Sequence, residues 1–232
     1  MSVERFGILI CAYNEESHID GLIRSILKQS PEEIIVVDDG STDNTAALAQ
    51  QAGATVIRNR KNLGKGSALK RGFKAFLNKN VDAVIVVDGD GQHDPNEIQC
   101  FLDTYRRTGI PVLIGNRMAD PKGMPIIRKL TNHFMAYMLN RLTKVYVADP
   151  PCGFRFYAIE VLPFITSKEQ RFAFEFDVLI RAAKRKIRID SVRISTIYND
   201  KQSSHIAPFR DSWLFISVVW RHIFHKNKAD IY

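Results

Sequence analysis

The chain has 232 residues, 45% hydrophobic and 25% charged, with a formal charge of +8 and a pI near 9.4. That size suits one large α/β domain with a sizeable core, and the basic balance points toward anionic partners. Three widely spaced cysteines (Cys11, Cys100, Cys152) without a CxxC pair argue against a disulfide framework or zinc site and for buried thiols in a reducing compartment, and no stretch approaches the roughly 20 apolar residues of a bilayer span.

In chain order, "RFGILICA" reads as a buried strand, with an apolar run too short for a signal peptide. "EESHIDGLIRSILKQ" carries Ile19, Leu22, Ile23, Ile26 and Leu27 at helical spacing. "EEIIVVDD" is a second strand, and "STDNTAALAQQAG" a helix opening on capping residues and closing on Gly53. "ATVIRN", a basic helix "GKGSALKRGFKAFLNKN" and the strand "DAVIVVD" follow. "DPNEIQCFLDTYRRTG" is a helix with Asp94 as cap and Pro95 at its start, before a fifth strand, "IPVLIGNR". Continuous Val/Ile runs alternating with helices predict a mostly parallel central sheet covered on both faces, a Rossmann-like three-layer α/β/α fold. Past residue 120 the rhythm changes to a long helix "MPIIRKLTNHFMAYMLNRLTK", a short strand or turn "CGFRFYAI", a helix "AFEFDVLIRAAKRK" and an alternating strand "IRIDSVRISTIY". A polar loop and the apolar "SWLFISVVWRHIFHK" close the chain. With no repeat and no linker, residues 1–232 read as one domain.

Ligands of such sheets collect at the carboxyl ends of the strands. Asp38-Asp39, Asp88-Gly89-Asp90 and Asn116-Arg117 all fall at such ends, which suggests one cleft. Asp88 and Asp90, two apart on extended chain, point the same way and can share a cation, with Gln92 adding a neutral oxygen. Hard oxygen ligands suit Mg²⁺ or Mn²⁺. Other motifs fail on the letters. An EF-hand counted from Asp88 would need Gly at His93 and Glu at Gln99. A P-loop ending at Gly64-Lys65 would need Gly at Asn59, and a dinucleotide fingerprint would need Gly at Leu69. A DxD phosphohydrolase, with Asp88 as nucleophile, is the rival, although its motif normally continues to Thr and opens the domain.

In order, "ILICAYNEESHI", "EIIVVDDGSTDNT", "NLGKGSALKRGF", "VIVVDGDGQHDPNEI" and "VLIGNR" resemble the family 2 glycosyltransferases of GT-A fold, closest to the dolichyl- and polyprenyl-phosphate mannosyl- and glucosyltransferase branch. The resemblance is strong over residues 6–117, looser through "DPPCGFRFY" and "FEFDVLIRAAKRKIRI", and weak from about residue 199. It implies an inverting, metal-dependent transfer from a GDP- or UDP-linked sugar, with Mg²⁺ or Mn²⁺ as cofactor. Residues 1–117 would form the nucleotide-sugar half and 118–232 the acceptor half. By the same resemblance Ala12, Tyr13, Asn14 and Glu15 form the first nucleotide loop. Asp39 faces base or ribose, Lys65 lies near the base, and Asp88 sits on the ribose or metal side. Asp90 becomes the principal metal ligand beside Gln92, with Gly89 in place of the frequent Ala and expected to matter little. Asn14 read alone caps the first helix, and Asp39-Gly40 is a simple turn.

The resemblance further directs Arg117 and Arg128 at phosphates, and makes Asp149, Glu175 and Asp177 acidic candidates for a base without choosing among them. In the late loop, Lys201, Ser203 and Ser204 would approach the diphosphate, and His205 would complete the metal shell. A hydroxyl acceptor needs a base; an ionised polyprenyl phosphate, the preferred acceptor, does not. A glycan or other hydroxyl acceptor, and a non-catalytic nucleotide-sugar-binding module, are the alternatives. The apolar run around Trp213 and Trp220, followed by basic residues, suits an interfacial helix on an anionic membrane, a core helix or a homodimer face. Nucleic acid is not among the expected partners, and the expected location is cytoplasmic, peripheral to the membrane.

Overall fold

The computed structural model describes residues 3–121, 123–165 and 173–195. Strands β1 (Phe6–Ala12), β2 (Glu33–Asp38), β3 (Thr55–Arg58), β4 (Ala83–Asp88) and β5 (Val112–Asn116) alternate with helices α1 (Ile19–Leu27), α2 (Thr45–Gln51), α3 (Lys65–Phe76) and α4 (Ile98–Thr108), as the periodicity predicts. After them come α5 (Ile126–Thr143), β6 (Arg155–Ala158), the one-turn α6 (Leu162–Ile165), α7 (Ala173–Lys184) and β7 (Ile189–Arg193). The described strands form one sheet in the order β3-β2-β1-β4-β6-β5-β7. Neighbours pair in parallel except at β6, which runs antiparallel to both β4 and β5.

Alternate residues of each central strand feed two cores. Ile8, Ile10, Val36, Ile85 and Val87 pack with Ile23 of α1, Ala49 of α2 and Phe101 of α4. Leu9, Val37, Val84 and Val86 point the other way, onto Leu69 and Phe73 of α3 and Phe174 of α7. This period-2 split of an all-apolar strand produces the three α/β/α layers. Truncating one of these buried phenylalanines would cost about 3–5 kcal/mol. β6 arises in the second half of the chain yet inserts between two strands of the first, so both halves share one sheet.

Helix ends follow the expected chemistry in part. Asp94 Oδ1 accepts the Asn96 amide 2.9 Å away, capping a short 3₁₀ turn that leads into α4. Gly109 closes α4 in the left-handed conformation. Asn14, by contrast, caps nothing: α1 begins at Ile19 after His18. Of the cysteines, Cys152 is buried and Cys11 half-buried, but Cys100 is exposed on α4, contrary to the expectation of three buried thiols. The late loop carrying Lys201, Ser203, Ser204 and His205, and the apolar run around Trp213, lie outside the described residues.

Candidate active site

β1 lies between β2 and β4, so chain connections diverge on either side of its carboxyl end and open a crevice there. Register places Cys11 beside Asp88 on one flank and Ala12 beside Asp38 on the other. The loop leaving β1 is held from below. Asn14 adopts a left-handed φ of 56°, which Asn tolerates better than most residues. Its amide donates to Ser41 Oγ at 2.9 Å, and its Oδ1 accepts the Thr42 amide at 2.9 Å. Glu15 N–H donates to Thr45 Oγ1 at 2.7 Å. Ala12 is buried, whereas Tyr13 is exposed at the crevice rim.

The paired aspartates after β2 both hold partners within the protein. Asp38 is fully buried, accepts the Ser41 amide at 2.9 Å and meets Arg58 Nε at 3.0 Å. Asp39 was expected at the base or ribose, but its carboxylate accepts Asn59 Nδ2 at 2.6 Å and the Gly64 and Leu63 amides at 2.6 and 3.0 Å. It thereby fixes the Asn59–Gly64 loop that launches α3. Gly40 is obligatory in this turn: its φ is +79°, and a Cβ would stand 2.5 Å from the Lys61 backbone.

Lys65, first residue of α3, is delivered by that loop into the crevice. Its Nζ lies 2.5 Å from Asp88 Oδ1 and 3.2 Å from Glu175 Oε1 of α7. It therefore stands between two carboxylates rather than open toward a base. The other Asp88 oxygen faces His93 Nε2 at 3.6 Å and packs over Gly153, where any Cβ would overlap it. Burial alone would raise the Asp88 carboxyl, but the Lys65 ammonium and the His93 contact hold it well below the usual carboxylate range. Burial would likewise lower Lys65, yet Asp88 and Glu175 hold it above the ordinary lysine value. Asp88, expected to share a cation with Asp90, has the Lys65 ammonium on one oxygen and His93 facing the other.

Asp90 is half-buried beyond this cluster, and its Oδ1 accepts the Gln92 amide at 3.0 Å. Among the described residues no group of three or more His, Cys, Asp or Glu side chains forms a cage. One carboxylate with a neighbouring amide oxygen nevertheless fits Mg²⁺ or Mn²⁺, ions that take their other ligands from water and substrate phosphates. Gly89 is tighter than expected, since a Cβ there would sit 3.2 Å from the Cys11 carbonyl oxygen.

At the end of β5, Arg117 and Asp149 were read as a phosphate ligand and a base. They form one closed unit instead. Asp149 accepts Arg117 Nε at 2.7 Å, Nη2 at 2.9 Å and the Arg117 amide at 3.1 Å, and Asn132 of α5 adds a fourth donor at 3.1 Å. Four donors fill the lone-pair directions of a carboxylate, and both side chains are buried. Glu175 and Asp177 are likewise separated, since residues two apart on a helix point to opposite sides. Glu175 faces Lys65, while Asp177 accepts Arg181 Nε at 2.6 Å. Arg128 is half-buried on α5, one turn before Asn132.

Two further residues shape the site beyond its sequence-predicted candidates. His93 is buried against Phe154, with ring centroids 5.0 Å apart, and backs Asp88; its place three residues after Asp90 was the available signal. Arg155 is 1% exposed and donates to the Cys152, Pro150 and Glu175 carbonyls, so it shapes the loop that presents Gly153 to Asp88. An arginine inside an apolar strand is the signal there, because such a group must have partners.

A switch-point crevice with a DxD at the end of β4 is the architecture of the GT-A fold. The fold matches solved glucosyl-3-phosphoglycerate synthase from Mycobacterium tuberculosis in complex with Mn²⁺, UDP and glucosyl-3-phosphoglycerate, with a TM-score of 0.77 at 22% identity over 97% of this chain and 81% of that one. The model of glycosyl transferase family 2 matches residues 7–163, and the chain belongs to that family. It is similar to the UDP-N-acetylglucosamine–dolichyl-phosphate N-acetylglucosaminyltransferase of Methanococcus voltae, 27% identical over 83% of this chain and 86% of the relative. A second relative, polyprenol monophosphomannose synthase of Mycolicibacterium smegmatis, is 27% identical over 83% of this chain and 77% of its own length. The protein is thus a glycosyltransferase using a nucleotide sugar, and the phosphohydrolase alternative falls. No helix among the described residues is long and apolar enough to cross a membrane.

Proposed function

We propose that the protein transfers a sugar, with inversion, from a nucleotide-diphosphate sugar to a polyprenyl phosphate, using Mg²⁺ or Mn²⁺ at Asp90. The observation that carries the acceptor class is that every acidic candidate for a base is paired with a cation of the protein. Asp149 holds four donors, Asp177 holds Arg181, and Glu175 faces Lys65 at 3.2 Å and Arg155 at 3.8 Å. A hydroxyl acceptor must give up a proton to a neighbouring base. A phosphate arrives ionised, which suits a cleft whose candidate bases already face arginine or lysine. The names of the two relatives point the same way.

In this reading the Ala12–Glu15 loop and the Asp39-fixed loop seat the nucleotide on either side of the β1 end. Asp90, with Gln92 beside it, would hold the metal against the donor's diphosphate. The ion would supply positive charge there as the leaving group takes up the bonding electrons. Lys65, kept charged by Asp88 and Glu175, adds a preorganised positive charge to the same crevice. The acceptor phosphate oxygen bonds to the sugar's anomeric carbon from the face opposite the diphosphate, and the carbon–oxygen bond to that diphosphate breaks.

The test is nucleotide diphosphate release with a panel of UDP- and GDP-sugars and Mn²⁺, comparing a polyprenyl phosphate with the corresponding polyprenol. Release is expected with the phosphate alone, and chelation by EDTA should abolish it until Mn²⁺ is restored. Equal turnover of the free alcohol would overturn the acceptor assignment.

A further inference from the structure

A helix on the outside of a domain normally turns its polar side to water, and α5 does the opposite. Its inner face carries Asn132, Met135, Ala136 and Leu139. Its outer face carries Ile126, Ile127, Leu130, Phe134 and Tyr137, with Ile126 exposed to 74% and Leu130 and Tyr137 each to 65%. Steps of four, four and three residues from 126 through 130 and 134 to 137 align these side chains in one stripe. Charge is equally one-sided. No Asp or Glu occurs between Pro121 and Ala148, whereas Arg128, Lys129, Arg141 and Lys144 lie on the helix or directly after it. Tyr146, 75% exposed, extends the aromatic content just beyond.

The stripe lies on the outside of the catalytic edge. Asn132, on the inner face of the same helix, donates to Asp149, which holds Arg117 at the end of β5. We propose that α5 docks flat on an anionic lipid bilayer, its apolar stripe in the headgroup–acyl boundary and Lys129, Arg141 and Lys144 toward the lipid phosphates. Apolar area together with positive charge in a stretch without acidic residues is what an interfacial helix requires. The inference rests on the lipid-linked acceptor reading, because docking there sets the crevice beside the membrane from which such an acceptor would come.

Docking itself needs neither donor nor acceptor, so it is measured apart from turnover. Flotation of the full chain with phosphatidylcholine vesicles, with and without phosphatidylglycerol, should show binding that favours the anionic vesicles and weakens with salt. Leu130→Asp combined with Phe134→Asp should reduce partition by at least about tenfold, since each change withdraws an inserted side chain and adds repulsion. Tyr137→Asp alone should act in the same direction, and far-UV circular dichroism should be unchanged in both variants. Undiminished flotation of the variants overturns the proposal. A fall in mass on gel filtration also overturns it, because the face would then join two copies. So does altered Trp213 and Trp220 emission without vesicles, because the stripe would then cover residues 196–232. Vesicle binding that persists while polyprenyl phosphate fails as acceptor would strike the acceptor assignment alone.

Discussion

Two strand ends of this sheet carry the same kinds of residue and behave differently. At β5, Arg117 and Asp149 are 6% and 0% exposed, and Asn132 completes a closed hydrogen-bonded unit. At β4, Lys65 and Asp88 keep 22% and 24% exposure, and Asp90 lies one step further into the crevice. An acid–base pair at a strand end is therefore not itself a mark of catalysis. The two ends differ in saturation: the Asp149 carboxylate holds four donors away from water, whereas charge at the β4 end remains reachable.

The largest expected effect belongs to the closed end. Arg117→Ala leaves the Asp149 carboxylate buried without its cation, and breaking such a pair costs about 3–5 kcal/mol. Urea unfolding should show that loss, with part of it recovered in the Arg117→Ala, Asp149→Ala double variant. An Arg117→Ala protein of normal stability that cannot turn over would return Arg117 to the phosphate role and break the comparison. The open end should respond in the other currency. Asp90→Asn is expected to lower acceptor-dependent nucleotide diphosphate release by about a hundredfold, or about 2.7 kcal/mol of barrier, with an unchanged melting temperature. Unaltered turnover would remove Asp90 from the metal.

Cys152 measures how dry the closed end is. Its amide donates to the Asp149 carbonyl at 3.0 Å, and burial, opposed by Arg117, pushes its thiol from 9.0 up to about 12. Between those values the unfolded chain releases a proton that the folded chain keeps. Stability therefore falls as pH rises through that window, by about 1.4 kcal/mol per pH unit for this thiol. Chemical denaturation at pH 9, 10 and 11 should show a shallower decline for Cys152→Ala than for the wild type. Parallel slopes would mean that water reaches the thiol.

Much of the fold was legible because its signals are local. Val/Ile runs between helical repeats announce a doubly covered sheet, and Asp94-Pro95 and Gly109 mark helix ends through side-chain and φ chemistry. The reversal at β6 was not, since "FRFYA" reads the same in either direction and only its partners, Val84 to Val86 and Val112 to Ile114, fix it. In the site, motif order located the crevice, but side-chain roles depended on distant partners. Asp39 is separated by more than twenty residues from the Leu63 and Gly64 amides it accepts, and Arg117 by 32 from Asp149. Nothing in "DDGS" or "GNR" encodes those pairings. The position of Asp90 just beyond β4 depends on strand-end geometry alone, which the letters do carry.

Gly89 offers the smallest and finest test of the open end. It separates Asp88, tied to Lys65, from Asp90, and frequent use of Ala at this place in the family suggests an easy exchange. Here a Cβ would stand 3.2 Å from the Cys11 oxygen and 3.3 Å from Ala12 Cβ, so the end of β1 would have to yield by a few tenths of an ångström. No left-handed φ forbids alanine, and replacing glycine restricts the unfolded chain, which favours the folded state by about 0.4–1 kcal/mol. The two effects oppose each other, and Gly89→Ala should leave stability within about 1 kcal/mol of wild type. Because Ala12 opens the loop proposed to seat the nucleotide, the change should appear as a rise of about two- to threefold in donor KM, about 0.4–0.65 kcal/mol, with kcat preserved. A loss of kcat at unchanged KM would mean that the added methyl moves Asp90 rather than Ala12, and that the β4 end is the softer side of the crevice.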